Sequence, residues 1–253
     1  MTGFLGGIMN WQKTYFEELD STNRYLKEKA SQGAPEGTVI IANRQSAGRG
    51  RLGRSFFSPE DKGIYMSILL RPDIPLERAV LITSMTAVAV ARAVEQIGGV
   101  EAKIKWVNDI FLNRKKVCGI LTEAGINVKN GTLDYAVLGI GVNVGSMKFP
   151  EELEKIATSV SNECGTEVSK EVLIEEILKE LERWYPTLAD GSFLEESRKR
   201  SILLGREILV LDETAPGGSY PAKAMNINEL GNLVIEKEGV TKVLNSGEVS
   251  IRL

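Results

Sequence analysis

Residues 102–144 read AKIKWVNDIFLNRKKVCGILTEAGINVKNGTLDYAVLGIGVNV. Four short runs rich in β-branched and apolar residues stand out, at 102–106, 109–112, 116–124 and 133–144. Asn113-Arg114 and Asn130-Gly131 separate the last three, and such pairs suit tight chain reversals. This spacing predicts strands joined as a meander of hairpins. Gly139 and Gly141 alternate within the last run, so both present a bare backbone on the same face. Another group can approach closely there, although a bulge explains a strand glycine equally well.

Working outward, TVIIA (38–42) and GIYMSILL (63–70) have the composition and length of strands. Before them, Asp20-Ser21-Thr22-Asn23 offers capping side chains to a short amphipathic helix, RYLKEKA. Residues 1–15 read as a loose lead-in, with Met9 as an alternative start. From Pro75-Leu76 to Ile97 the chain is apolar nearly all round, as in a buried helix, and Gly98-Gly99 stops it. Residues 151–201 take a helical period, clearest in SKEVLIEEILKELERWY (169–185). After residue 204 come five short β runs split by Gly, Pro and Asn, which fit a small barrel. The expected division is a main domain over 1–204 and a small β domain over 205–253.

The chain has 253 residues, 43% of them hydrophobic, enough to fill a substantial core. Its net charge of −3 argues against a protein that coats nucleic acid or anionic membrane. The amino end lacks the basic start and apolar core of a secretion signal, and no run of about 18 uncharged apolar residues occurs. A cytoplasmic protein without membrane or DNA partners is the expectation. Cys118 and Cys164 have no ligand-spaced companions and read as free thiols. There is no histidine. Any catalysis must therefore use Arg, Lys, Asp, Glu, backbone dipoles or a bound ion.

Two further stretches carry chemistry. In the loop 45–58, Gly48-Arg49-Gly50-Arg51-Leu52-Gly53-Arg54 combines a backbone free to wrap a ligand with three forked cations. It suits a small polyanion, yet it is neither a P-loop nor a GxGxxG fingerprint. A solvated basic loop or an RGG-like nucleic-acid segment has the same composition. In Lys105-Trp106-Val107-Asn108-Asp109 and Lys116, the intervening hairpin would bring Asp109 and Lys116 together. That pair is either a structural ion pair or a phosphate stabiliser beside a metal or amine partner.

In this order, GRGRLGR, KWxND with its downstream lysine, and GIGVN resemble the biotin protein ligases over about residues 18–252. The resemblance implies an α+β fold of the class II synthetase-like type, with a mixed or antiparallel sheet, flanking helices and a C-terminal SH3-like barrel. It implies that Ser21, Thr22, Asn23 and Gln45 border biotin, with Gly139 and Gly141 under its rings. Gly48, Arg49 and Arg51 would lie on the loop that closes over the biotinyl adenylate. Arg51, Arg54, Phe56, Asn108, Asn143 and Arg252 would face ATP, and Lys116 would contact the reacting carboxylate and the α-phosphate. Lys116, Arg49 and Asp109 are thus the expected catalytic residues, Asp109 orienting the incoming amine or a metal. Biotin, ATP and Mg2+ would be the small ligands, and a biotin carboxyl carrier protein the macromolecular partner. Homodimers through sheet edges occur in the family. Val107 stands where the motif has Pro, which removes no functional group. Only some 20 residues precede the Ser21 helix, too few for the winged-helix repressor domain of bifunctional members.

The chemistry agrees with that reading. A carboxylic acid with a pKa near 4 is already a nucleophile at neutral pH, so adenylation needs alignment and charge neutralisation rather than a base. Lipoate ligases share the expected fold and the adenylate, but the arginine-rich loop speaks against them. Octanoyl transfer needs a cysteine nucleophile, and neither cysteine has an evident activating base.

Overall fold

A computed structural model describes residues 9–127, 131–212, 218–245 and 248–251. Its centre is a seven-stranded mixed sheet. The strands are β1 (Gln12–Leu19), β2 (Thr38–Gln45), β3 (Gly63–Leu70), β4 (Lys103–Lys105), β5 (Asp109–Leu112), β6 (Lys115–Asn127) and β7 (Thr132–Asn143). They lie in the order β1-β2-β3-β7-β6-β5-β4. Every residue of β3 is buried, as befits the middle of a sheet covered on both faces. The expected meander from β4 to β7 is present, antiparallel throughout. Asn113 and Arg114 both take positive φ at the β5–β6 reversal, the conformation of a two-residue hairpin turn.

The amino end departs from expectation. Residues 12–15, read as part of a loose lead-in, belong to β1, which pairs in parallel with β2 from Gln12↔Thr38 to Leu19↔Gln45. Most of its side chains are exposed, so its order comes from the backbone ladder and no apolar alternation betrays it. Residues 1–8 lie outside the described residues.

Ser21 caps α1 (Thr22–Ser31) by accepting from the backbone N–H of Arg24. The apolar segment becomes α2 (Ala79–Gly98), ended by Gly99 in the left-handed conformation with φ 66°. By length and composition it could cross a membrane, but two thirds of its apolar window is buried within the fold. Two short helices, α3 (Glu151–Glu154) and α4 (Val160–Cys164), lead to α5 (Lys170–Trp184). Leu173, Ile174, Ile177, Leu178 and Leu181 of α5 recur at helical spacing and join the core with α2. The last helix is α6 (Leu194–Arg200).

The five β runs after residue 204 form one antiparallel sheet, in keeping with an SH3-like module. They are β8 (Glu207–Leu211), β9 (Ser219–Ile227), β10 (Leu233–Lys237), β11 (Val240–Leu244) and β12 (Glu248–Ile251), in the order β11-β10-β9-β8-β12. Ile208, Val210, Ala224 and Val249 belong to the same hydrophobic cluster as α2 and Trp106, so one core reaches under both sheets. Trp106 Nε1 donates to the Gly231 carbonyl at 2.9 Å, and Arg198 Nε to that of Ile227 at 2.8 Å.

Arg200 ties this junction together. Buried to 6% exposure, it donates to Glu95 at 2.7 Å, to Glu196 at 2.8 Å and to the Ala102 carbonyl at 2.8 Å. The hydrogen bonds from Arg200, against a smaller opposing effect of burial, hold the Glu95 carboxyl below its usual range. Arg200→Met is expected to cost about 2–3 kcal/mol in urea unfolding at neutral pH, because Glu95 and Glu196 lose their nearest counter-ion and keep only the more distant Arg92. A depressed carboxyl pKa stabilises the fold above its unfolded value of 4.5 and loses that contribution as pH falls through the lower folded value. The gap between variant and wild type should therefore narrow in acid. A gap independent of pH would show that packing, not the ion pair, carries the effect.

Candidate active site

A pocket opens on the sheet face formed by β6 and β7. It is lined by Ser21, Thr22 and Asn23 from α1 and its cap, Gln45 from β2, and Arg49, Arg51, Arg54 and Phe56 from the glycine–arginine loop. Asn108, Asp109, Lys116, Gly139 and Gly141 complete the sequence-derived set that it gathers. The cavity holds about 150 Å³.

Its floor consists of glycines. Gly119 pairs with Gly141 across the β6–β7 ladder. A Cβ on Gly141 would stand 2.6 Å from the Phe56 ring, and one on Gly119 3.3 Å from both Phe56 and Lys116 Nζ. A Cβ on Gly139 would overlap the Asn23 amide. Side chains thus lie directly against strand backbone where any larger residue would hold them off.

Lys116 reaches this face through a bulge. Asp109 pairs with Gly119 and Ile110 with Cys118, but Phe111 pairs with Lys116, so Val117 is the extra residue. Without it, Lys116 would alternate to the opposite face from Gly119. With it, Lys116 Nζ meets Asp109 Oδ1 at 2.7 Å. The Lys116 backbone is clamped as well, its N–H donating to Ile156 O at 2.8 Å and its carbonyl accepting from Thr158 N at 2.9 Å.

The loop 45–58 is stitched at its base. Gly50 N donates to Arg54 O at 2.7 Å and Phe56 N to Gly48 O at 3.0 Å. Gly48 belongs to this turn, with Ser58 Oγ and Phe56 O in the space a side chain would need, and is not on the pocket lining. Arg51 Nη1 donates to Asn108 Oδ1 at 2.9 Å, and Asn108 Nδ2 to Ile120 O at 3.0 Å, so the two sequence motifs meet across the pocket mouth. At the other end, Gln45 Oε1 accepts from the Thr22 backbone at 2.9 Å and its hydroxyl at 3.1 Å. Ser67 Oγ donates to Asn23 Oδ1 at 2.6 Å.

Asn143 sits at the end of β7, buried and off the lining. Its Nδ2 donates to Thr158 O at 3.0 Å, while Oδ1 has no hydrogen-bond partner among the described residues. Arg252 lies outside the described residues. Several contributors were not singled out from sequence: Ser67, Tyr65, Gly119, Glu123 and Val249. Glu123 and Gly119 share the face of Leu121 by simple alternation along β6, a signal present in GILTEA. Val249 comes from β12, which no local pattern connects to a pocket on the other sheet.

Burial pushes the Cys118 thiol up, far from the thiolate an acyl-transfer nucleophile needs. No group of three His, Cys, Asp or Glu side chains forms a metal cage among the described residues. Carboxylate- or phosphate-bearing ligands fit the cationic loop and Lys116.

This fold places the chain among protein ligases. The chain belongs to the biotin/lipoate A/B protein ligase family, whose model matches residues 15–143. It is 36% identical over 247 residues to the Bacillus subtilis bifunctional ligase/repressor BirA, covering 94% of this chain and 74% of that one. It is 29% identical to the biotin–[acetyl-CoA-carboxylase] ligase of Mycobacterium tuberculosis, covering 97% and 91%. Among solved structures it resembles the Aquifex aeolicus biotin protein ligase in complex with biotin and ATP. There the TM-score is 0.79 and the identity 30%, over 95% of this chain and 98% of that one.

Gly139→Ala should disturb the Asn23–Ser67 bond, since the new methyl must displace the Asn23 amide. The expected cost is about 1–3 kcal/mol in denaturant unfolding, the usual range for overpacking. Unchanged stability would mean that the site has slack the geometry does not reveal.

Proposed function

We propose that this protein is a biotin–protein ligase. It joins biotin to ATP as biotinyl-5′-AMP and then transfers biotin to a lysine of a biotin carboxyl carrier protein. The observation that carries this reading is the convergence of the arginine loop, the α1 cap and the Lys116–Asp109 pair around one glycine floor.

In the first step a biotin carboxylate oxygen attacks the α-phosphorus, the bond to the β-phosphate oxygen breaks, and pyrophosphate leaves. No proton moves, which suits a chain without histidine. Lys116, fixed by the bulge and its backbone clamp, neutralises charge on the α-phosphate and the carboxylate. Arg49 and Arg51 hold the carboxylate–phosphate junction and Arg54 the departing phosphates, while Phe56 lies beside the adenine. Ser21, Thr22, Asn23 and Gln45 grip the ring end of biotin, above Gly139 and Gly141, and Gly48 lets the loop fold over it. Asn108 lies on the nucleotide side, and Asn143, buried at the end of β7 and off the lining, supports that side from behind.

Magnesium fits this pocket as a companion of ATP. Asp109 is the single acidic side chain on the lining among the described residues, so phosphate oxygens would be the principal ligands. Bound there, the ion would add neutralising charge to the phosphates. In the second step the neutral amine of the carrier lysine attacks the acyl carbon, the bond from that carbon to the phosphate oxygen breaks, AMP leaves and the amine's extra proton passes to solvent; Asp109 orients the incoming amine. A homodimer through a sheet edge fits the same reading.

Pyrophosphate–ATP exchange should depend on biotin, and exchange driven by lipoate alone would transfer the chain to the neighbouring activity. Lys116→Ala should slow adenylation by roughly 10²–10³ with a smaller loss of biotin affinity. A folded variant with wild-type exchange would reduce Lys116 to a structural cation.

A further inference from the structure

Beyond the pocket's glycine floor, β6 carries one more side chain toward the same end. Glu123 lies two residues past Leu121 and four past Gly119, hence on the pocket face. Its side chain is only 16% exposed, and both carboxylate oxygens are engaged. Oε2 accepts from Asn23 Nδ2 at 3.0 Å. Oε1 accepts from Lys27 Nζ at 2.9 Å and stands 3.7 Å from Arg49 Nη1. One anion therefore meets a first-turn residue of α1, a cation one turn further along that helix, and the first arginine of the loop.

We propose that Glu123 is a positioning residue for the biotin end of the pocket, fixing the Asn23 amide and tethering the loop through Arg49. This rests on the reading of the pocket as a biotin site. The chemistry of Asn23 makes the first part specific. An asparagine amide could turn either way, but here its Nδ2 faces two acceptor-only groups, the Glu123 carboxylate and the Leu121 carbonyl at 3.1 Å. Its Oδ1 is thereby turned to Ser67 and to the bare face of Gly139. A neutral group at position 123 removes that bias.

The second part follows from charge. Burial disfavours ionisation of Glu123, yet the bonds from Lys27 and Asn23 and the charges of Lys27 and Arg49 more than offset it, and the carboxyl stays below its ordinary range. It is thus ionised at neutral pH and attracts Arg49, whose side chain is 54% exposed and has the longest reach of the three. Asn23 and Lys27 lie on α1, Arg49 on the loop after β2, and Ser67 on β3. A single carboxylate on β6 thus meets α1 and the loop directly, and through Asn23 it reaches β3.

The experiment uses Glu123→Gln, which keeps the shape and loses the charge, and Glu123→Ala, which loses both. The first readout is hydrogen exchange of amides 49–55 without added biotin or ATP. Glu123→Gln should exchange these amides several-fold faster than wild type at an unchanged melting temperature. The second is biotin-dependent pyrophosphate exchange. The KM for biotin should rise about tenfold in Glu123→Gln and further in Glu123→Ala, with kcat within about twofold, the pattern of lost ground-state positioning. Wild-type exchange rates at 49–55 in a folded Glu123→Ala protein, or a fall in kcat with KM unchanged, would overturn the proposal. If the wild-type protein shows no biotin-dependent activity, the reading of the pocket fails, and the exchange rates of the loop still decide the role of Glu123.

Discussion

The site depends on close approach to bare backbone at the middle of a sheet. Gly119, Gly139 and Gly141 give β6 and β7 a face without side chains, and the space is taken by groups arriving from elsewhere: the Phe56 ring, the Lys116 amine and the Asn23 amide. Any residue with a Cβ there would lift these groups away from the strands. The hydrophobic core and the functional face are therefore opposite sides of the same ladder. Cys118, Ile120, Leu138, Ile140 and Val142 alternate with the glycines and fill the interior against α2. The sheet has to be stiff on one side to be open on the other.

A single extra residue then decides which chemistry that face can perform. Regular alternation would send Lys116 away from Gly119; the bulge at Val117 returns it, and Asp109 receives its charge. An ion pair at this position is worth little as a source of stability, since one side chain is 35% exposed and water screens it. Its value lies in orientation. A lysine held by a carboxylate and clamped through its backbone presents its ammonium group in one place, which a transition state carrying phosphate charge can exploit without reorganisation.

Much of this arrangement is legible in the linear chain. The reversal at Asn113-Arg114, the long apolar segment stopped by Gly98-Gly99 and the short β runs after residue 204 are each governed by local backbone chemistry, and each appears in the fold. What escapes the sequence depends on partners far away. β1 is polar along most of its length and becomes a strand only because β2 supplies a ladder. The bulge needs the register of two strands, which residue types do not state. Glu123 looks like one of many surface carboxylates until α1 and the loop bring Lys27 and Arg49 to it. Motif spacing thus marks the residues that line the pocket better than those that hold them in place.

The two sheets are coupled through the motif itself. Trp106 lies between Lys105 and Asn108, both on the pocket lining, and its indole N–H is spent on Gly231 in the β9–β10 turn. That turn is rigid in its own right, because Asn228 Oδ1 accepts from the backbone of Leu230 and Asn232 at 3.0 and 2.9 Å. Gly231 takes φ 77° with Leu81 and Ser84 of α2 close beside it, so the turn is wedged between the helix and the motif. A small sheet with one end fastened there, and with Val249 reaching the pocket, supports the segment that carries Asn108 and Asp109 from behind. The flat side of the pocket needs glycines to admit a ligand. The opposite side, where Arg51 bridges to Asn108, has that rigid backing, so the arginine loop meets a fixed partner there.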